Sequence, residues 1–419
     1  MADKRKTTNN LDWSIILLYS VFVLIGLLVV YASSHNEEKD FFDTHQLYMR
    51  QFIWICTSAL LALFILVTDN KFYTAFGYVI YGLIALLLIA VFFFGHEVNG
   101  NKNWFEIGSF QLQPSEFAKF AVALALAKYL SNPHVNLKSN RNKMYALSII
   151  FSPAILILLQ GDTGSALVFL SFFLVLYRFG LGGEVLVLGV ATIALSVFAL
   201  LFDKYIIIGV LLVLSLATLY FVRRNRRSYI IIGILFSGAS LYVAGTNYVF
   251  NNVLKPHQQQ RINVLLGQDV NVKGAGYNVN QSKIAIGSGG LLGKGPLQGT
   301  LTKYNFVPEQ HTDFIFCTIG EEYGFWGTTL FIILFVVLLS RILTVAERQR
   351  SRFSRIYAYG VASILFFHFA INIGMTIGLA PVIGIPLPFI SYGGSSLWSF
   401  TILLFVLVKL DADRLAVLR

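Results

Sequence analysis

Long apolar runs, separated by short polar or charged segments, dominate the chain. Runs long enough to cross a hydrocarbon core of about 30 Å fall at 13–33, 46–67, 72–94, 143–160, 164–179, 184–202, 205–222, 228–246, 314–341, 356–380 and 389–410. The run 114–131, PSEFAKFAVALALAKYLS, carries internal charges, yet its apolar positions continue at helical spacing. It is read as a further span packed inside the bundle. The pattern therefore predicts an all-α polytopic membrane protein of about twelve transmembrane helices. The apolar stretch that follows MADKRKTTNN exceeds the roughly 7–15 residues of a signal-peptide core, so it is read as the first span.

Loop charges test that count. With twelve spans and a cytoplasmic N-terminus, the basic clusters Lys4–Lys6, Lys138/Arg141/Lys143, Arg223–Arg227 and Arg348–Arg355 all fall inside, and the acidic stretch Glu37–Asp43 falls outside. This is the distribution the positive-inside rule expects. It places both termini in the cytoplasm. Residues 247–313 then form one large extracytoplasmic loop, and long loops are usually functional or disordered. Its aromatic and β-branched residues argue for a folded loop. The stretch QSKIAIGSGGLLGKG suits a short helix or re-entrant piece at the interface.

Composition narrows the class further. Of 419 residues, 56% are hydrophobic and 13% charged, about half the charge of an ordinary soluble domain. That supply cannot cover the surfaces of two or three soluble domains. The 37 Phe, 20 Tyr and 5 Trp exclude a disordered chain. The formal charge of +11 is read as basic cytoplasmic loops facing anionic headgroups, with no nucleic-acid partner. Cys56 and Cys317 lie singly in apolar runs and are read as packing residues.

Four features carry candidate chemistry. The glycines of GSGGLLGKG (287–295) match neither a P-loop, because Gly295 follows Lys294, nor a dinucleotide fingerprint, because no strand precedes them. A tight loop needing positive φ is the better reading. Charges within spans come next, since each is costly and functional by default. Glu116 and Lys119 are three residues apart on one helix face, Arg50 lies near the outer end of the second span, and Asp162 sits in QGDTG. Either these charges pair and hold the bundle, or Arg50 and Lys119 line a polar cavity for a phosphate-bearing headgroup. Third is Pro308–Asp313, PEQHTD, where Glu309, His311 and Asp313 lack a zinc spacing and leave open a hard divalent cation held through oxygens. Last is PLPFISYGGSS (386–396), where Pro and Gly break a helix. Ser391, Ser395 and Ser396 there either face a polar substrate or re-satisfy local backbone groups. These residues alone do not separate a transporter from a membrane enzyme.

Five motifs, NWFEIGSFQLQPSEFAKF (103–120), LLQGDTGSAL (158–167), GAGYNVNQSKIAIGSGGLLGKG (274–295), FVPEQHTDFIFCTIGEEYGFWG (306–327) and GIPLPFISYGGSS (384–396), together resemble the SEDS family of RodA and FtsW. They occur in the family's order, and the third and fourth are nearer its RodA branch. The resemblance runs from about Trp13 to Arg414. It implies a single SEDS-like membrane domain over 1–419 with 247–313 as its large outer loop. The family usually has ten spans, with one where 184–246 offers three, so an inserted helical pair is expected there.

The resemblance implies a peptidoglycan glycosyltransferase in the bacterial cytoplasmic (inner) membrane. Such an enzyme polymerises lipid II on the outer face for cell elongation, beside a class B penicillin-binding protein and other elongation-complex proteins. Alternatives are a flippase for the lipid-linked precursor, or an inactive scaffold for the penicillin-binding protein. The family's essential aspartate stands three residues before the first Gly of its GxGY motif. Here that Gly is Gly274 and the position holds Asn271, so the nearest carboxylate, Asp269, is assigned as catalytic base. Glu309 or Asp313 taking that role is the competing assignment. Arg50, Glu116, Lys119, Asp162, Gln281, Lys283, Glu309, His311, Asp313, Ser391, Ser395 and Ser396 are the expected substrate-binding set. No certain cofactor is implied, and a divalent cation such as Mg2+ or Mn2+ is the alternative to basic side chains at the diphosphate.

Overall fold

Each apolar run becomes helix. The computed structural model describes residues 10–34, 43, 45–98, 101–108, 110–221, 226–254, 256–267, 275–304 and 306–415. Contacts divide the chain into two units, one of residues up to Leu181 together with Asn278 onward, the other Gly182–Tyr277.

The first unit opens with α1 (Trp13–Ser34), α2 (Leu47–Val67) and α3 (Asn70–Phe94). A three-stranded antiparallel meander follows, β1 (His96–Val98), β2 (Asn101–Ile107) and β3 (Phe110–Leu112). Then come α4 (Pro114–Ser131), α5 (Asn140–Leu159), α6 (Thr163–Val168) and α7 (Phe172–Arg178). Among the described residues ten helices of the chain are long and apolar enough to cross a membrane. The charged α4 and the short α6–α7 pair account for the two other predicted runs. The meander escapes a reading that looks only for spanning runs, because its strands are short and pair only with their neighbours.

Helix α4 has Pro114 at its N-terminus, a position where the missing N–H costs nothing. Ala118, Ala121, Ala123, Ala125 and Ala127 are all buried, and such small residues let neighbouring backbones approach closely. Helix α4 packs against α3 and against the later helix α15 (Arg352–Thr376). The unit is completed by α12 (Ala275–Ser288), most of which belongs to it, α13 (Thr300–Lys303), α14 (Ile315–Arg348) and α16 (Gly394–Ala412). The stretch QSKIAIGS is thus helical.

Where α1 begins and α14 and α16 finish, an ionic network joins the three helices. Asp12 accepts from Arg341 Nε (3.1 Å) and Arg348 Nη2 (2.6 Å). Asp411 accepts from Arg348, from Gln349 Nε2 (2.8 Å) and from Arg414 Nη1 (3.1 Å). Burial pushes the Asp12 carboxyl up, but the hydrogen bond and charge of Arg341, the Ile15 N–H and the charge of Arg348 together outweigh it. The group sits below its ordinary range.

The second unit holds α8 (Gly183–Leu201), α9 (Lys204–Phe221), α10 (Arg226–Asn252) and α11 (Pro256–Leu265). The first three occupy the three apolar runs of 184–246. Ala199, Ile207 and Val243 form their small core, and Asn247 Nδ2 donates to the Ala199 carbonyl (3.1 Å). Almost all their remaining apolar surface faces outward, as suits helices solvated by lipid.

Candidate functional site

The chain between α15 and α16 is not helical. Gly378, Pro381, Gly384, Pro386, Pro388 and Gly393 deny residues 377–393 a continuous helix, by missing N–H groups or by positive φ at the three glycines. Irregular backbone at membrane depth persists only when protein satisfies its polar groups, and here several of the partners can be named. Asn372 Nδ2 donates to the Ile385 carbonyl (2.8 Å) and His368 Nδ1 to that of Pro386 (3.0 Å). Ser391 Oγ accepts from Leu387 N (2.8 Å). Gly393 N reaches Gln51 Oε1 at 3.4 Å. Two glycines make the close packing possible. A Cβ on Gly26 of α1 would lie 2.8 Å from the Ile390 backbone, and one on Gly164 of α6 would lie 2.2 Å from the Ile383 carbonyl oxygen.

The PEQHTD motif joins this segment. The carbonyls of His311, Thr312 and Asp313 accept in turn from Tyr392 N (2.8 Å), Ser391 Oγ (2.6 Å) and Asn372 Nδ2 (2.8 Å). Two motifs far apart in sequence therefore form one stitched surface. Glu309 holds a positive φ of 55°, and its carboxylate accepts from the Thr312 hydroxyl (3.0 Å). Burial lowers the His311 imidazole below its ordinary range, against a smaller opposing pull from Glu309. A Cβ on Gly384 would stand 3.2 Å from Asp313 Oδ2, so the carboxylate lies against that turn.

Below this surface lies the intramembrane ion pair. Lys119 Nζ donates to Glu116 Oε2 at 2.8 Å, and the two side chains are 1% and 3% exposed. The ammonium also meets His368 Nε2 at 3.0 Å and lies over the Phe400 ring. The Pro386 carbonyl can only accept, so His368 Nδ1 carries the proton and Nε2 accepts from the lysine. Lys119 is thus enclosed within the protein, with its donors directed at Glu116 and His368.

Asp162 caps α6, accepting from Ser165 N (2.9 Å) and Ser165 Oγ (2.7 Å). Its carboxylate also accepts from Asn103 Nδ2 (3.1 Å) and Gln113 Nε2 (3.0 Å). Gln113 N donates to Ser395 Oγ (3.2 Å), which donates to the Gln111 carbonyl (2.9 Å), and Ser396 Oγ donates to the Gly393 carbonyl (3.0 Å). In this arrangement all three serines bond backbone groups, Ser396 only near its own turn, Ser391 both there and at Thr312, and Ser395 on the distant 111–113 stretch. Arg50 is half-buried in the first turn of α2, one residue before Gln51. Gln281 is half-buried and Lys283 exposed on α12, and a Cβ on Gly378 would stand 3.6 Å from Lys283 Nζ.

Asp269 and Asn271 lie outside the described residues. Among the described residues no group of three or more His, Cys, Asp and Glu side chains is placed to hold a metal ion. The sequence reading passes over His368, Asn372, Gln113 and Asn103. Of these, His368 and Asn372 carried a usable signal, being polar at i and i+4 inside an apolar run.

A family model described as cell cycle protein, covering FtsW, RodA and SpoVE, matches residues 12–415. The chain is 33% identical to the peptidoglycan glycosyltransferase RodA of Treponema pallidum, over 97% of this chain and 99% of that one. It is 32% identical to the peptidoglycan glycosyltransferase MrdB of Escherichia coli K12, over 93% and 90%. Among solved structures it superposes on a chain from a peptidoglycan synthase complex, studied for how polymerization and crosslinking are coordinated. That match has a TM-score of 0.71 and 26% identity, covering 96% of this chain and 98% of that one. The rod shape determining protein RodA of Thermus thermophilus shares the fold, with a TM-score of 0.63 and 24% identity over 96% and 97%. With a stitched turn between α15 and α16, a buried ion pair and a family match along nearly its whole length, the chain belongs to the FtsW/RodA/SpoVE family, the SEDS proteins, on its RodA-like side.

Proposed function

We propose that the protein is a peptidoglycan glycosyltransferase that polymerises lipid II into glycan strands on the outer face of the cytoplasmic membrane. The observation that carries this reading is the end-to-end likeness to relatives named for that activity. In the reaction, the acceptor's 4-hydroxyl oxygen attacks the donor's anomeric carbon with inversion. The bond to the lipid diphosphate breaks with its electron pair going to the diphosphate. The hydroxyl proton passes to a base, assigned to Asp269. Arg50 and Lys283, the less enclosed cations, stabilise the departing diphosphate. Lys119 acts from inside, holding with Glu116 and His368 the floor beneath the 385–393 turn. A divalent cation, Mg2+ or Mn2+, would supply the same stabilisation, and activity in EDTA with and without the ion reports whether it is needed.

A class B penicillin-binding protein is the proposed partner, supported by the likeness to a chain of a synthase complex. The charge distribution supports a cytoplasmic placement of both termini, and the three helices α8–α10 are read as the family's single span plus an inserted pair. The test compares wild type, Asp269→Ala and Asn271→Asp, each purified with the penicillin-binding partner and supplied with lipid II. Wild type is expected to make polymer and Asp269→Ala to make none while still binding the partner. Wild-type polymer from Asp269→Ala removes that residue from the mechanism. A silent wild type awakened by Asn271→Asp would favour the scaffold reading.

A further inference from the structure

The ionic network at the start of α1 has a layered arrangement. Its two carboxylates lie innermost, Asp12 1% and Asp411 0% exposed, and the guanidiniums lie over them, Arg341 at 37%, Arg348 at 30% and Arg414 at 22%. Both carboxylates are saturated from within. Asp12 takes the Ile15 N–H, Arg341 and Arg348, and Asp411 takes Arg348, Gln349 and Arg414. The arginines are not. Among the described residues Arg341 and Arg348 bond these carboxylates through Nε and Nη2, and Arg414 through Nη1. That directs other guanidinium edges away from the carboxylates. Three cations stand against two anions, so one positive charge is uncompensated within the cluster.

A cavity of about 170 Å³ opens beside this layer, lined by Asp12, Trp13, Ser14, Arg341, Arg348 and Arg414. Planar guanidiniums presenting paired N–H groups fit a phosphate oxyanion in geometry as well as in charge. The cavity lies at the ends of three spans, α1, α14 and α16, which is the depth of lipid headgroups. The charge reading assigns that end to the cytoplasmic leaflet, whose anionic lipids attract such sites. Trp13, 65% exposed, is the residue type that settles at the membrane–water interface.

We infer that this cavity binds a phosphate oxyanion, carried by an anionic phospholipid headgroup or free in solution. The full chain, purified in neutral detergent, is titrated with phosphatidylglycerol, phosphatidylcholine, or sodium phosphate against sodium chloride at equal ionic strength. Thermal unfolding is the readout, because a ligand that binds only the folded state raises the midpoint. Phosphatidylglycerol is expected to raise it and phosphatidylcholine not. A midpoint saturated by inorganic phosphate, with no further gain from the lipid, supports the site and identifies a free anion as its ligand. Arg341→Gln and Arg414→Gln are each expected to weaken the response roughly tenfold in concentration, the loss of one charge-assisted contact. Each is read against its own ligand-free midpoint, so lost basal stability does not confuse the result. Arg414→Lys, which keeps the charge without the fork, should fall between. Equal shifts with both lipids and none with phosphate, or full response in both Gln variants, would overturn the inference.

Discussion

Two ionic clusters lie in the same helical unit and are built on opposite plans. Glu116 and Lys119 are matched one to one, with the His368 imidazole as third partner and aromatic packing over the ammonium. Asp12, Asp411 and their three arginines carry unequal charge and leave the cations partly open to solvent. The first cluster is closed, and its contacts fix geometry. The second is open, and its surplus can meet a ligand. A buried charge is informative less for being present than for whether its own chain has already compensated it.

The largest expected effect comes from breaking the closed cluster on one side. Lys119→Met strands a buried carboxylate and should lower stability by about 3–5 kcal/mol, read as a fall in the unfolding midpoint and in folded yield. The double variant Glu116→Leu/Lys119→Met should recover much of that stability while leaving glycan polymerisation low. Full activity in the double variant would mean the pair only holds the bundle. Next in size is His368→Phe, which removes the acceptor for Lys119 and the donor for the Pro386 carbonyl. The cost should be about 1–3 kcal/mol. His368→Gln, able to donate and accept, should restore part of it, and equal loss in both variants would argue against a hydrogen-bonding role.

The smallest effect separates the clusters by pH. Asp12 has a folded pKa below its ordinary range, so its contribution is fully present above the unfolded value of about 4. It is lost as pH falls through the lower folded value. The wild-type midpoint should therefore carry an acid-sensitive component below about pH 4 that Asp12→Asn lacks. An identical acid profile for the two proteins would show that the arginines do not stabilise the ionised carboxyl.

Much of this architecture is legible in the chain. The spans follow from unbroken apolar runs, and the Glu116–Lys119 pair follows from an i,i+3 spacing that the helix itself brings together. The partners of that pair are a different matter. His368 meets Lys119 across 249 positions, and only helix packing determines which polar residue of one span faces which of another. The Ser391–Ser396 turn shows the same limit. Its composition announces a broken helix, yet whether its hydroxyls serve substrate or backbone depends on carbonyls contributed by Gln111 and Thr312. The β1–β3 meander leaves still less trace, because strands this short depend on pairing with one another and not on a periodic apolar pattern.

The strip of carbonyls at residues 311–313 has a consequence for how the family can vary. Its join to the 385–393 segment runs through main-chain oxygens, which every amino acid supplies. That join makes no demand on the side chains at these three positions. Across relatives, the donors Ser391 and Asn372 should drift little for the sake of the fold, and substitutions there should be tolerated only by residues that still donate. Restriction on the His311 or Asp313 side chains would have to come from something other than this join. Such restriction, measured by saturating each position in turn and selecting for growth, would isolate the demands of the reaction from those of assembly.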